Sequence, residues 1–328
     1  MRRRYAAIAL AMVMVFGLSL AAGCGTASGD SADESSADEA STAEYEELAE
    51  EYSEVPDEAF EDIILYLTDG EIAADDVVYV ADGVDITAAE YFYYLTFEEY
   101  LYIYEYYYTY YVEPDITEES SDGTTMADEI QEDTYLSAVY DAAAYAAALD
   151  AGTVLSDEYQ EALDTYVSEN TYSLGESMWE SAVSEGTISE DDYSDEEKEA
   201  WIEENGNNQL ILNMLYYSTT VEALESTTLK GYYAQQYKED LYGEGGELAP
   251  TEEELEAFVE EYGDSDVTAD SDEALELYMD EAFEEYADAL AEDAEVEDTG
   301  VLDGFDVNEY FEALEAFREI LEESLSDE

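Results

Sequence analysis

Histidine is absent from the 328 residues and cysteine occurs once, at position 24, so the nucleophile-and-base constellations Ser-His-Asp and Cys-His cannot be assembled. Carboxylates and phenols remain: 91 Asp and Glu, and 33 Tyr. Two carboxylates could serve glycosidic hydrolysis, but among 91 any pair arises by chance. The run DSDVTADSDE, 264–273, offers oxygen ligands to a hard cation, yet lacks the glycine at loop position six and the glutamate at twelve of a calcium loop. Weak, unspecific binding of divalent cations is expected there, with no dedicated metal site. GEGGE, 243–247, lacks the lysine and the preceding strand of a phosphate-binding loop. No catalytic residue and no cofactor is therefore assigned.

The tyrosines are concentrated. In YFYYLTFEEYLYIYEYYYTYY, residues 91–111, eleven of 21 positions are tyrosine. TAAE at Thr87 has the form of a capping box, and neither glycine nor proline follows until Pro114, which predicts one long helix. Tyrosines at every even position from 100 to 110 would also suit a strand, but one of unusual length directly after a helix cap. On a helix Phe97, Leu101, Tyr104, Tyr108 and Tyr111 form an apolar stripe, and Glu98, Tyr102, Glu105 and Thr109 a more polar seam. Glu98, Glu99 and Glu105 exclude a membrane span. A helix ringed by tyrosine is expected to place one face in the core and another along a cleft for extended, unfolded polypeptide. Tyrosine suits the second role, because its ring gives contact area with few rotatable bonds and its hydroxyl tolerates water. The candidate contacts are Phe97, Leu101, Tyr104, Tyr107, Tyr108 and Tyr111.

The elements around this helix are mostly helical too. Leu136, Val139, Tyr140 and Ala143 share a helical face that ends near Gly152, and Ser156 caps a segment with Tyr159, Leu163, Tyr166 and Val167 inward. Ser194 with Glu197, and Thr251 with Glu254, form further capping boxes, the second leading Leu255, Phe258, Val259 and Tyr262. Gln209 to Leu241 reads as one helix with an exposed Gly231. Leu275, Tyr278, Met279, Ala282, Phe283 and Tyr286, then Phe311, Leu314, Phe317 and Leu321, continue the pattern. The exception is VVYVADGVDI, 77–86, where β-branched residues flank Asp82-Gly83, the signal of a two-residue hairpin turn. A mainly α, multi-helix bundle with one small N-terminal β-hairpin is the fold class expected.

Every acid lies beyond Gly23 and three of the seven basic residues lie before it, leaving four bases against 91 acids and a net charge of −87 for the remainder. Such a surface excludes nucleic acid as a partner and favours solubility, with self-repulsion as its cost in stability. The N-terminus, MRRRYAAIALAMVMVFGLSLAAGC, has the three-arginine start, apolar run and small residues of an export signal. Ala21, Ala22 and Gly23 before Cys24 resemble the lipobox of bacterial lipoproteins, although leucine is commoner where Ala21 stands. That resemblance implies lipidation of Cys24, attachment to the membrane through it, and residence in the bacterial cell envelope on the outer face of the cytoplasmic membrane. GTASGDSADESSADEASTAE then reads as an extended acidic tether. The expected division is a signal over 1–23, a tether over 24–56, a helical domain over 57–263 and a helical C-terminal region over 264–328.

The succession VVYVADGVDITAAEYFYYL resembles the opening of the SurA/PrsA-type foldases, where a valine-rich strand, an Asp-Gly or Asn-Gly turn and an Ile-Thr pair lead into the first chaperone helix. GTTMADEIQEDTYLSAVYDAAAYAAALDAGTVLSDEYQEAL is similar to that family's glycine-terminated helix and Leu-Ser-Asp-Glu start. LKGYYAQQYKEDLYGEGGELAPTEEELEAFVEEYG is like its segment before the isomerase domain. The resemblance implies an extracytoplasmic chaperone that holds unfolded, secreted polypeptides. It departs where a parvulin-type peptidyl-prolyl isomerase domain should follow: that site typically contains two histidines, and only 65 residues remain after Gly263. DEALELYMDEAFEEYADALAEDAEVED reads either as a parvulin remnant, giving a reduced α+β C-terminal lobe, or as one more helix with a short tail. A foldase with an atypical isomerase site and a lipoprotein that binds a small ligand are the alternative functions.

Overall fold

The computed structural model describes residues 55–112, 114–118, 123–189, 193–243, 245–262 and 267–326. The export segment, Cys24 and the acidic tether up to residue 54 lie outside the described residues, as do the first three residues of the acidic run at 264–273. The described chain is mainly helical with a small three-stranded antiparallel sheet. In chain order the elements are α1 (Asp57–Glu61), α2 (Ile63–Leu67), β1 (Val77–Ala81), β2 (Val84–Thr87), α3 (Ala88–Tyr110), α4 (Met126–Ala151), α5 (Asp157–Glu185), α6 (Asp195–Tyr216), α7 (Val221–Tyr242), α8 (Glu252–Tyr262), α9 (Asp272–Asp293), β3 (Val296–Asp298) and α10 (Val307–Ser326). Among the described residues no helix is long and apolar enough to cross a membrane.

The expected hairpin forms on β1 and β2, with Asp82 and Gly83 both at positive φ (49° and 82°), the backbone of a two-residue turn matched to strand twist. β3 completes the sheet in the order β2-β1-β3, pairing Ala81 with Val296 and Tyr79 with Asp298. The tail of the segment read as a parvulin remnant or a plain tail is thus the third strand of the N-terminal sheet. After it α10 buries Tyr310, Phe311, Leu314, Phe317 and Leu321 in the same core as Tyr91, Phe92 and Leu95 of α3. Val55, at the end of the predicted tether, is buried in that core as well.

The capping signals are realised. Thr87 accepts from the Glu90 amide while Glu90 accepts from the Thr87 amide, and Ser194 with Glu197 and Thr251 with Glu254 repeat the exchange. Gly152 ends α4 at φ 76°. The face proposed for α4 is buried at Val139 and Ala143, but Leu136 is exposed. The helix read from Gln209 to Leu241 is instead broken. α6 stops at Tyr216, Ser218 turns to φ 47°, and Thr220 caps α7. The break is closed locally, by the Thr219 amide on the Met214 carbonyl and by the Thr220 cap, and from outside the Thr96 hydroxyl donates to the Tyr217 carbonyl at 2.8 Å.

α5 and α6 form a long antiparallel pair that closes on two glycines. A Cβ on Gly175 would lie 1.9 Å from the Ile202 carbonyl oxygen, and one on Gly206 would lie 2.1 Å from that of Thr171. The backbones meet directly there, which only glycine allows. Beyond this crossing the pair carries its own small core, in which the buried Trp179 ring stands edge-on to Trp201 at 5.3 Å and to Tyr193 at 5.1 Å.

Candidate functional site

Helix α3 changes environment chiefly along its axis. Its first twelve residues, Ala88 to Glu99, are buried on every side, between β1, β2, α2, α4, α7 and the C-terminal segment. From Tyr100 onward the helix emerges. Of the predicted contacts, Phe97 is sealed at 2 % exposure and Leu101 is half-buried, whereas Tyr104, Tyr107, Tyr108 and Tyr111 are exposed by 47 to 78 %. The apolar stripe is therefore sealed in the core only at Phe97, and at its far end it is open to water. Tyr100, Tyr110 and Val112, absent from the predicted set, belong to the same exposed surface.

Along the outer turns neighbouring rings pack on one another. Tyr104 packs on Tyr108 at 4.4 Å and Tyr106 on Tyr110 at 4.6 Å, each pair one helical turn apart, and Tyr100 extends the first row toward the core at 5.9 Å. A hydrogen bond with Tyr108 holds the Tyr104 phenol above its usual pKa. The helix ends when Tyr111 adopts φ 58°, with its amide bonded to the Tyr107 carbonyl. From Tyr100 to Tyr110 the emergent helix runs about 15 Å.

Of the seam expected to be polar, Glu98 and Tyr102 face α4, while Glu105 and Thr109 are exposed; Tyr94, one turn before, joins the first two. Tyr94 donates to Asp141 at 2.5 Å, Ser137 donates to Glu98 at 2.8 Å, and Tyr102 donates to Asp133 at 2.5 Å. These are three rungs one turn apart, descending α3 as they climb α4, so they fix the antiparallel register. Each joins a carboxylate to a hydroxyl. Burial raises the Asp141 carboxyl to about 6, against the lowering influence of Tyr94 and Lys230. Tyr159 makes the same kind of bond to Glu239 at 2.6 Å, between α5 and α7. In a chain with so few bases, tyrosine supplies the donors that buried acids need, which accounts for part of its abundance.

The four described bases are committed elsewhere. Lys230 lies 2.7 Å from Glu90 and donates to the Asp85 carbonyl. Arg318 grips Glu99 with two bonds of 2.9 Å, donates to the Tyr216 carbonyl and covers the Tyr216 ring at 4.4 Å. Lys238 pairs with Asp280, and Lys198 sits over Trp179 at 5.3 Å. The two ion pairs at Glu90 and Glu99 lock α7 and α10 onto the buried half of α3, so the cationic charge works inside the fold while acids cover its outside. No group of three or more metal-ligating side chains is found among the described residues.

A broad, open cleft lies at the other end of α3 and α4. It offers about 860 Å³ between the hairpin turn, β3, the end of α4 and Leu290 of α9, and none of the tyrosine contacts lines it. Compared with protein-family models, with curated proteins and with solved structures, the chain matches none.

Proposed function

We propose that this protein is an extracytoplasmic holding chaperone of the SurA/PrsA type, lipid-anchored through Cys24 to the outer face of a bacterial cytoplasmic membrane and without isomerase chemistry. The observation that carries this reading is the emergent end of α3, where Tyr100, Tyr104, Tyr107, Tyr108, Tyr110 and Tyr111 stay open to solvent on an otherwise acid-coated chain. Contiguous exposed aromatic surface marks a binding face, and ring contacts with water-tolerant hydroxyls suit clients of varied sequence. The surrounding carboxylates keep complexes soluble and draw basic clients. The order of hairpin, turn and first chaperone helix, shared with that family's opening residues, supports the same reading.

The test is aggregation of a chemically unfolded secreted protein, followed by light scattering. Suppression near stoichiometric amounts, lost when Tyr104, Tyr107, Tyr108 and Tyr111 are replaced by alanine, is the expected result. Equal suppression by wild type and variant would overturn the assignment of the surface. Acceleration of proline-limited refolding at catalytic amounts would make the protein an isomerase instead.

A further inference from the structure

The 860 Å³ cleft is built differently from the tyrosine surface. Its α4 wall is Ala143, Ala146 and Ala147, at spacings of three and one on one helical face, and these small side chains leave the space open. Val80, Val296 and Leu290 add apolar surface. Around them stand the exposed carboxylates of Asp82, Asp150, Glu295 and Glu297. Lys198, Lys230, Lys238 and Arg318 are all committed at other places, so none of them answers this charge.

The strand beside this space has an unpaired edge. β3 is the last strand in the order β2-β1-β3. The Asp82 amide bonds to the Glu295 carbonyl and the Thr299 amide to the Val78 carbonyl, so 295, 297 and 299 turn their peptide groups toward β1. By the alternation of an antiparallel ladder, the peptide groups of Val296 and Asp298 point the other way. A free edge is ordinarily guarded by charge against pairing with other chains. Here the guard is of one sign, Glu295, Glu297 and Asp298, so it repels an acidic strand and attracts a basic one.

We propose that this cleft is a second polypeptide site, which takes an extended segment alternating Lys or Arg with small apolar residues and adds it to the edge of β3. The peptide backbone pairs with Val296 and Asp298, its apolar side chains settle against the alanine wall, and its cations meet the four rim carboxylates. The site does not depend on the tyrosine surface. It lies at the opposite end of the α3/α4 pair, because residue 94 faces 141 and residue 102 faces 133, while the cleft begins at Ala143.

The test uses the full chain and fluorescent octapeptides of alternating Lys-Val and alternating Glu-Val, followed by anisotropy and by amide hydrogen exchange. The Lys-Val peptide should bind, the Glu-Val peptide should not, and saturation should slow exchange at Val296 and Asp298. Glu295→Lys with Glu297→Lys should weaken binding at least tenfold, and so should Ala147→Tyr, which fills the cleft without changing charge. Glu203→Lys with Glu204→Lys, on the exposed face of α6, controls for general attraction to an acidic protein and should change affinity less than threefold. Equal losses from both double variants, or unaltered exchange at Val296 and Asp298 in the saturated wild-type chain, would overturn the proposal. The exchange measurement needs no variant and stands even if a substitution impairs folding. Loss of aggregation suppression in the tyrosine variant, with peptide binding retained, would separate the two sites.

Discussion

Glu90 and Lys230 meet at 2.7 Å with side chains only 2 % and 7 % exposed, and the same carboxylate also caps α3 through the Thr87 amide. One residue therefore starts the central helix and ties α7 to it. Removing the lysine would strand a charge in the interior. Lys230→Met is expected to cost about 3–5 kcal/mol, while the double change Lys230→Met with Glu90→Gln should recover much of it. Denaturant unfolding of the two variants checks this, and equal stability of both would refute it.

Acidification should stabilise the fold. Burial raises Asp141 to about 6, and burial also raises Glu99 although Arg318 opposes it. A carboxyl whose folded pKa exceeds its unfolded value contributes stability that is fully present below the unfolded pKa and lost as pH rises through the folded one. For Asp141 that window runs from the ordinary carboxylate range to about 6. The melting temperature should rise as pH falls from 7.5 to 5, and Asp141→Asn, which still accepts from Tyr94, should flatten the trend. A pH-independent melting temperature in wild type would contradict the argument.

Glycine-to-alanine changes should have opposite outcomes at the α5–α6 crossing and on α7. Gly206→Ala must force the helices apart, because its Cβ would meet the Thr171 carbonyl at 2.1 Å. A loss of about 3 kcal/mol is expected, at the upper end of overpacking costs. Gly231 on α7 has open space around it, so Gly231→Ala should instead gain about 0.5–1 kcal/mol through helix propensity. Thermal unfolding distinguishes the pair by sign.

Position along α3 should decide what a tyrosine does. Tyr91→Ala, in the buried half, should cost about 3–5 kcal/mol. Tyr108→Ala, in the emergent half, should change stability by no more than about 1 kcal/mol, its lost ring pairing partly offset by the helix propensity of alanine. Calorimetry on the two single variants tests the division at Tyr100.

How legible was this in the residues alone? Local signals were read well: the Asp82-Gly83 turn, the three reciprocal caps and the glycine stop at 152 depend on neighbours in sequence, and each is realised. What failed was anything decided by distant segments. Periodicity assigns faces to α3 as geometry, but it cannot show that beyond Tyr100 the cover thins, with α4 still bonded at Tyr102, and leaves the stripe open. The strand β3 depends on an edge offered by Tyr79 to Ala81, whereas the break at Tyr217–Thr220 did carry a local signal, the run Ser218-Thr219-Thr220 with Thr220 capping α7. Gly175 and Gly206 carry a signal in the sequence itself: two glycines inside strongly helical segments each cost helix stability, and close backbone contact is the usual reason for them.

The rungs between α3 and α4 are fastened by phenol and alcohol groups, with no ammonium or guanidinium among them. Dissolved ions compete with a lysine for its acid, but they have little to offer in place of a neutral hydroxyl already seated on one. In brine, then, the braces keep their grip while mutual repulsion of the coat fades. Proteins held by surface ion pairs lose stability as salinity climbs; this chain should gain it.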